Sequence, residues 1–231
     1  MVAAAKFVPR LDILPPAQRQ LWDEFSAIPS DFVLFGGTAL ALRLGHRQSV
    51  DFAFFGGRSF APQELTASLA LLSGATITQQ APNTLSVIIG HGDPVRVSSF
   101  GLPGLARLRA PAIAPGNGLR VASLLDLAGT KASVVQLRAE AKDYIDIDAI
   151  LTDGRIDLPT ALAAGRAIYG RTFNPLITLK ALSLFEDGNL HRLPAAIRDR
   201  LAAAARAVDP ERLKRLPVAD RARTDGPAGR R

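Results

Sequence analysis

The chain predicts an α+β fold, a mixed sheet with interleaved helices followed by a helical bundle, and three observations carry that expectation. Short apolar runs of strand length alternate with helical periodicity as far as Leu72; three strand-like runs then follow one another with no helix between; from Leu119 onward the periodicity is helical. After Pro15 and Pro16, "AQRQLWDEFSAI" carries Leu21, Trp22, Phe25 and Ile28 at helical spacing, and Pro29 stops it. "DFVLF" reads as a short buried strand that ends at Gly36 and Gly37, and "TALALRLG" as a helix with Thr38 as its N-cap and Gly45 as its C-terminal stop. "SVDFAFF" is the next strand, with "GGRS" as its turn, and Pro62 opens a helix reaching about Leu72.

"ATITQQ", "TLSVIIG" and "VRVSSF" then make a meander, separated by the turns "APN" and "HGDP". The Gly/Pro-containing "LPGLARLRAPAIAPGNG" sustains neither period and marks a boundary. The expected division is a core domain over 1–118, a helical domain over 119–210 and a basic, flexible tail over 211–231. Helices are predicted over "VASLLDLAGTKASVVQLRA" and "KDYIDIDAILTD", and again from Leu158, Pro175 and Pro194.

Composition narrows the class. With 231 residues and 48% apolar content the chain can build a real core and is not disordered. It has no cysteine, which excludes disulfides and thiolate metal sites. The longest uncharged run, Leu65 to Gly92, is interrupted by "SG", "TQQ" and "APNT", so no membrane span is expected, and the N-terminus lacks the apolar stretch of a signal peptide. A soluble, cytoplasmic protein is the expectation. The net charge of +7 invites a nucleic-acid partner, but residues 211–231 hold seven Lys or Arg against three acids, a net of +4. That tail reads either as an arm for RNA or an acidic partner, or as a solvated terminus.

Two clusters could carry chemistry. Gly36 and Gly37 sit between a strand and a helix, where a tight turn and exposed amides suit an anion, although a plain turn would use the same residues. Asp51 stands in an otherwise apolar strand, and a buried carboxylate needs a positive partner, a metal or a basic side chain. Residue 53 shares its face, and a pair of acids there could hold Mg²⁺ against a triphosphate; this chain has Ala53. Arg43, His46 and Arg47 crowd the end of the short helix, where they either neutralise a phosphate or Asp51, or satisfy the helix C-terminus. In the second half, Lys131 falls in a mostly apolar helix, with Asp143 and Asp146 three apart on one helical face and Asp148 off it. These residues read as a lysine–carboxylate site with a base or metal ligand, or as a salt bridge in which Lys131 or Arg138 meets Asp143.

Together, "GGTALALRLGHRQSVDFAFF" and, much later, "LRVASLLDLAGTKASVVQLRAEAKDYIDIDAIL" resemble the AbiEii/AbiGii toxin family of nucleotidyltransferases of bacterial toxin–antitoxin and abortive-infection systems. The resemblance runs over roughly residues 32–151. It implies a polymerase-β-like nucleotidyltransferase core with a helical C-terminal part. It implies transfer of a nucleoside monophosphate from an NTP to an acceptor such as a tRNA 3′ end, with Mg²⁺ as cofactor and a cognate antitoxin as partner. By the same resemblance Gly36, Gly37, Thr38 and Arg47 meet the nucleotide, Asp51 is the first metal ligand, Lys131 contacts phosphate or acceptor, and Asp143 with Asp146 matches a late acidic motif. The departure is Ala53, where the family has the second aspartate of "DxD"; the neighbouring strand offers Ser98 and Ser99 where a third acid is expected. Three readings follow: an active transferase that recruits Asp143 or Asp146 to the metal, a catalytically degenerate nucleotide- or RNA-binding regulatory protein, or a deliberate inactivating change at Ala53. A serine hydrolase built on Ser98 or Ser99 lacks a histidine signature.

Overall fold

The computed structural model describes residues 7–90 and 93–221. Residues 91–92 of the "HGDP" turn and residues 222–231 of the basic tail lie outside the described residues. The chain folds as two compact units. One comprises residues up to 105 with 110–122, and the other comprises 106–109 with 123–220.

The first unit is built on a seven-stranded mixed sheet. In chain order its elements are α1 (Pro16–Trp22), β1 (Phe32–Phe35), α2 (Gly36–Leu44), β2 (Asp51–Gly56), α3 (Pro62–Ser68), β3 (Thr76–Ala81), β4 (Thr84–Ile89) and β5 (Val95–Gly101). The two-residue strand β6 (Ala106–Arg107) belongs to the second unit; β7 (Ala112–Ile113) and β8 (Arg120–Val121) complete the sheet. Strand order is β3-β4-β5-β2-β1-β8-β7. The β2–β5 and β1–β8 ladders are parallel, and β1–β2, β3–β4, β4–β5 and β7–β8 are antiparallel.

One face of the central strands is a dry aromatic layer. Phe52 and Phe54 are fully buried, and Phe25 meets their rings edge-on at 4.6 and 5.4 Å. Because side chains alternate along a strand, Asp51, Ala53 and Phe55 occupy the other face. Arg43 closes the far end of α2. Its Nε donates to the Ala122 carbonyl at 2.8 Å and Nη2 to that of Val121 at 3.2 Å, and its guanidinium lies 4.6 Å over the Phe7 ring.

The second unit holds α4 (Leu124–Val134), α5 (Ala141–Thr152), α6 (Leu158–Tyr169), α7 (Pro175–Ala181) and α8 (Ala195–Arg206), and β9 (Asp220–Arg221) pairs with β6. Its core is formed by Tyr144, Ile147, Leu158, Leu162, Phe173, Leu182, Leu190 and Leu201, among others. Leu213 is part of that core, and Arg166 Nη2 donates to its carbonyl at 2.7 Å, which holds the chain after α8. Ser123 is the N-cap of α4. Asp126, buried three residues on, accepts from Leu108 N–H at 2.7 Å and from Arg109 N–H at 3.3 Å. One carboxylate thus anchors the 106–109 excursion to this unit.

Several local expectations are corrected. The helix read over residues 17–28 ends at Trp22 and continues as a 3-10 turn, Glu24–Ala27. The helix from Pro62 ends at Ser68, with a separate 3-10 turn over Ala70–Leu72. Helix α2 starts at Gly36 with extended Phe35 before it, so Thr38 lies inside the first turn and does not cap it. Gly45 does end α2: it takes φ 66° and its N–H bonds the Ala41 carbonyl. No helix among the described residues is long and apolar enough to cross a membrane.

Candidate functional site

At the β1–α2 junction the chain passes from strand to helix without a loop, which only a glycine allows at low cost. Gly36 takes φ 77°, a left-handed conformation that burdens other residues by about 1–2 kcal/mol. A β-carbon on Gly37 would stand 2.7 Å from Arg47 Nη2 and 2.9 Å from Ser49 Oγ. The Arg47 guanidinium and the Ser49 hydroxyl therefore lie against the first turn of α2, beside amides that have no partner within the helix. Such a turn suits an anion.

Thr38, fully buried, donates its hydroxyl to the backbone carbonyl of Asp51 at 2.5 Å. That bond ties the start of α2 to the start of β2. The Asp51 carboxylate itself is exposed, which corrects the expectation of a buried acid. As the first residue of β2 it stands at the rim of the sheet, where water solvates it and no positive partner is required. Its apolar neighbours belong to the opposite face or lie further along the strand.

Register defines the rest of this face. Asp51 pairs with Arg96 and Ala53 with Ser98 across the β2–β5 ladder, and Ala53 pairs with Phe35 on β1. Paired residues share a face, so Asp51, Ala53, Arg96 and Ser98 form one patch, with Arg96 exposed. Ser86 pairs with Ser98, and the two hydroxyls are 2.9 Å apart. Ser99 points to the other face and is buried. Ala53 adjoins the glycine turn: a β-carbon on Gly36 would lie 3.6 Å from that of Ala53. Arg96 and Ser49 were not singled out from the sequence. The alternation of "VRVSSF" carries the signal for Arg96, but only pairing with β2 places it beside Asp51.

A divalent cation such as Mg²⁺ takes hard oxygen donors, carboxylates above all. This patch supplies one carboxylate, an alanine, two hydroxyls that bond each other, and an arginine. Among the described residues, no group of three or more His, Cys, Asp or Glu is placed to hold a metal ion. The donor set does not fit a divalent cation held by the protein.

The helical unit gathers the other predicted residues. Lys131 Nζ lies 2.7 Å from Asp143 Oδ1 and 2.6 Å from Asp146 Oδ2, and both carboxylates are fully buried. Arg138 adds a fork, Nε to Asp143 Oδ2 at 2.7 Å and Nη2 to Oδ1 at 3.2 Å. Two cations thus meet two carboxylates in a neutral cluster that joins α4 to α5. Burial pushes the Asp143 carboxyl up, but the Lys131 charge and the hydrogen bonds from Arg138 and Lys131 outweigh it and hold the group below its ordinary 3.8. The nearby Tyr144 phenol is pushed up to about 12, by burial first and then by Asp187 and Asp143. Asp148, off this face as its spacing implied, is gripped by Arg200 of α8 at 2.6 and 2.8 Å. The lysine that the sequence left between a chemical and a structural reading thus bonds both carboxylates three residues apart on α5.

Comparison with known proteins gives first the class. The chain shares its fold with MenT4, a nucleotidyltransferase toxin of Mycobacterium tuberculosis H37Rv, at a TM-score of 0.57 and 18% identity, over 87% of this chain and 84% of that one. An uncharacterized protein of Aquifex aeolicus is 30% identical over 162 residues, which are 69% of this chain and 76% of that protein. The profile of the family described as "Nucleotidyl transferase AbiEii toxin, Type IV TA system" matches residues 19–223. The chain belongs to the AbiEii nucleotidyltransferase toxin family.

Proposed function

We propose that this chain transfers a nucleoside monophosphate from an NTP to an acceptor hydroxyl, the 3′ end of a tRNA being the acceptor its family resemblance implies. In this reading it is the toxin of a pair whose antitoxin is a separate protein. The observation that carries it is the Gly36–Gly37 turn with Arg47 and Ser49 lying against it, in a chain of this family. The turn amides and Arg47 take the phosphates, and Thr38 fixes the turn relative to Asp51. The acceptor hydroxyl attacks the α-phosphorus in line and gives up its proton to water, the new O–P bond forms as the bond to the bridging oxygen breaks, and pyrophosphate leaves with that electron pair. Holding the partners in line and meeting the charge that builds on the phosphates are the protein's contributions. Asp51 is the one carboxylate of the patch and would face the Mg²⁺ that the family resemblance implies, were it carried on the phosphates of the NTP. Lys131, Asp143 and Asp146 hold α4 to α5 within the helical unit.

The test is incorporation of label from each NTP into total tRNA by the wild type and by Asp51→Ala. Transfer by the wild type that is lost in the variant supports the reading; transfer unaffected by the variant contradicts the role of Asp51. Ala53 favours a second reading, a nucleotide- or RNA-binding regulator without turnover. It expects no incorporation from any NTP together with RNA or nucleotide binding, and no gain of transfer from Ala53→Asp.

A further inference from the structure

The mismatch between the patch and a divalent cation has a consequence for how a nucleotide is held. We propose that the sheet-face site takes the triphosphate directly on its own arginines, Arg47 at the glycine turn and Arg96 on β5, so that binding does not require a divalent cation. The proposal rests on the nucleotide reading of this site.

Charge decides how this face meets a triphosphate. A face carrying several carboxylates repels a triphosphate until cations neutralise it, which makes nucleotide binding depend on metal. Here the ladder partners are Asp51 with Arg96 and Ala53 with Ser98, so a cation stands next to the lone acid, and the remaining positions are uncharged. The Arg47 guanidinium adds a second positive group, against the first turn of α2. Both cations are arginines, which keep their charge; the exposed Arg96 can offer its planar fork to two phosphate oxygens, while Arg47 Nη1 also donates to the Gln48 carbonyl at 2.8 Å. Arg96 is exposed, so a phosphate can approach its guanidinium from solvent. The hydroxyls of Ser86 and Ser98, 2.9 Å apart, are the neutral donors closest to Ala53 along the ladder. Ala53 itself leaves the space next to Gly36 free of charge. The face that results is built for an anion.

The experiment measures the affinity of the full chain for ATP, CTP, GTP and UTP, by thermal shift and calorimetry, in magnesium and in EDTA. Four proteins are compared: wild type, Arg96→Ala, Arg96→Lys and Ala53→Asp. For at least one NTP the wild-type Kd in EDTA is expected within about threefold of that in magnesium. Arg96→Ala weakens binding about tenfold or more in both buffers, and Arg96→Lys recovers part of that loss. Ala53→Asp makes binding depend on magnesium. Arg96 is exposed, so an unliganded melting midpoint equal to that of the wild type shows that its variants fold. Wild-type binding seen only in magnesium, or affinity unchanged in Arg96→Ala, overturns the proposal and leaves the nucleotide reading standing. Absence of binding by all four NTPs in both buffers overturns the nucleotide reading and the proposal with it.

Discussion

The sheet patch and the helical cluster use the same residue types, Asp with Lys or Arg, under opposite conditions of solvation. In the helical unit Asp143 and Asp146 are fully buried and bonded to Lys131, and Asp126 and Asp148, also buried, each have named donors. In the sheet unit Asp51 is exposed at a strand end, beside an arginine and a glycine turn. A buried carboxylate is stable only when its partners are in place, so the helical acids hold the fold. An exposed one at a strand end contributes little to stability and stays open to solvent. Burial separates the two groups: the acids of α5 are committed to partners inside their own unit, and Asp51 faces solvent.

Breaking the helical cluster is expected to have the largest effect. Lys131→Ala leaves two fully buried carboxylates without their shared ammonium and should cost about 3–5 kcal/mol, read by urea unfolding. Acid sharpens the same point. Asp143 has a folded pKa below its unfolded value of 3.8, so its contribution is complete above that pH and is lost as the pH falls through the lower folded value. An acid-unfolding curve of Asp143→Asn, compared with the wild type, should lack that part of the pH dependence. Packing in the same unit gives the next effect. A β-carbon on Gly129 would meet the Ala164 carbonyl carbon and the Gly165 nitrogen at 2.8 Å each, so Gly129→Ala should destabilise by about 1–3 kcal/mol in a thermal melt. Asp51→Ala sits at the other extreme, within about 0.5 kcal/mol of the wild type in the same melt. A loss of several kcal/mol there would remove the contrast between the two regions.

Much of this architecture could be read from residue order. Gly45 stops α2 because a left-handed residue after an apolar helix is most cheaply a glycine, and "ATITQQ", "TLSVIIG" and "VRVSSF" alternate as strands do. The joint appearance of the Gly-Gly turn, Asp51 and the Lys131 and Asp143–Asp146 motifs was enough to point to the family. What escaped depends on contacts far along the chain. Thr38 looks like an N-cap until β1 is seen to run straight into α2, which gives its hydroxyl to the Asp51 carbonyl. Arg120–Val121 shows no strand period, being a two-residue strand defined by its pairing with β1. The exposure of Asp51 is hidden because apolar sequence neighbours report the composition of a strand and not where its first residue ends up. Arg43 looked like one member of a basic cluster, yet its Nε and Nη2 bond carbonyls 79 and 78 residues away.

The central claim is that the Gly36–Gly37 turn receives the nucleotide, and Gly37→Ala tests it most directly. The added methyl would enter the space next to Arg47 Nη2 and Ser49 Oγ, the flexible ends of two side chains, so the unliganded fold should survive. The measurement is the rise in melting midpoint produced by saturating NTP. The account predicts a clear rise for the wild type and none for Gly37→Ala, with matching unliganded midpoints. A rise of full size in the variant would contradict it.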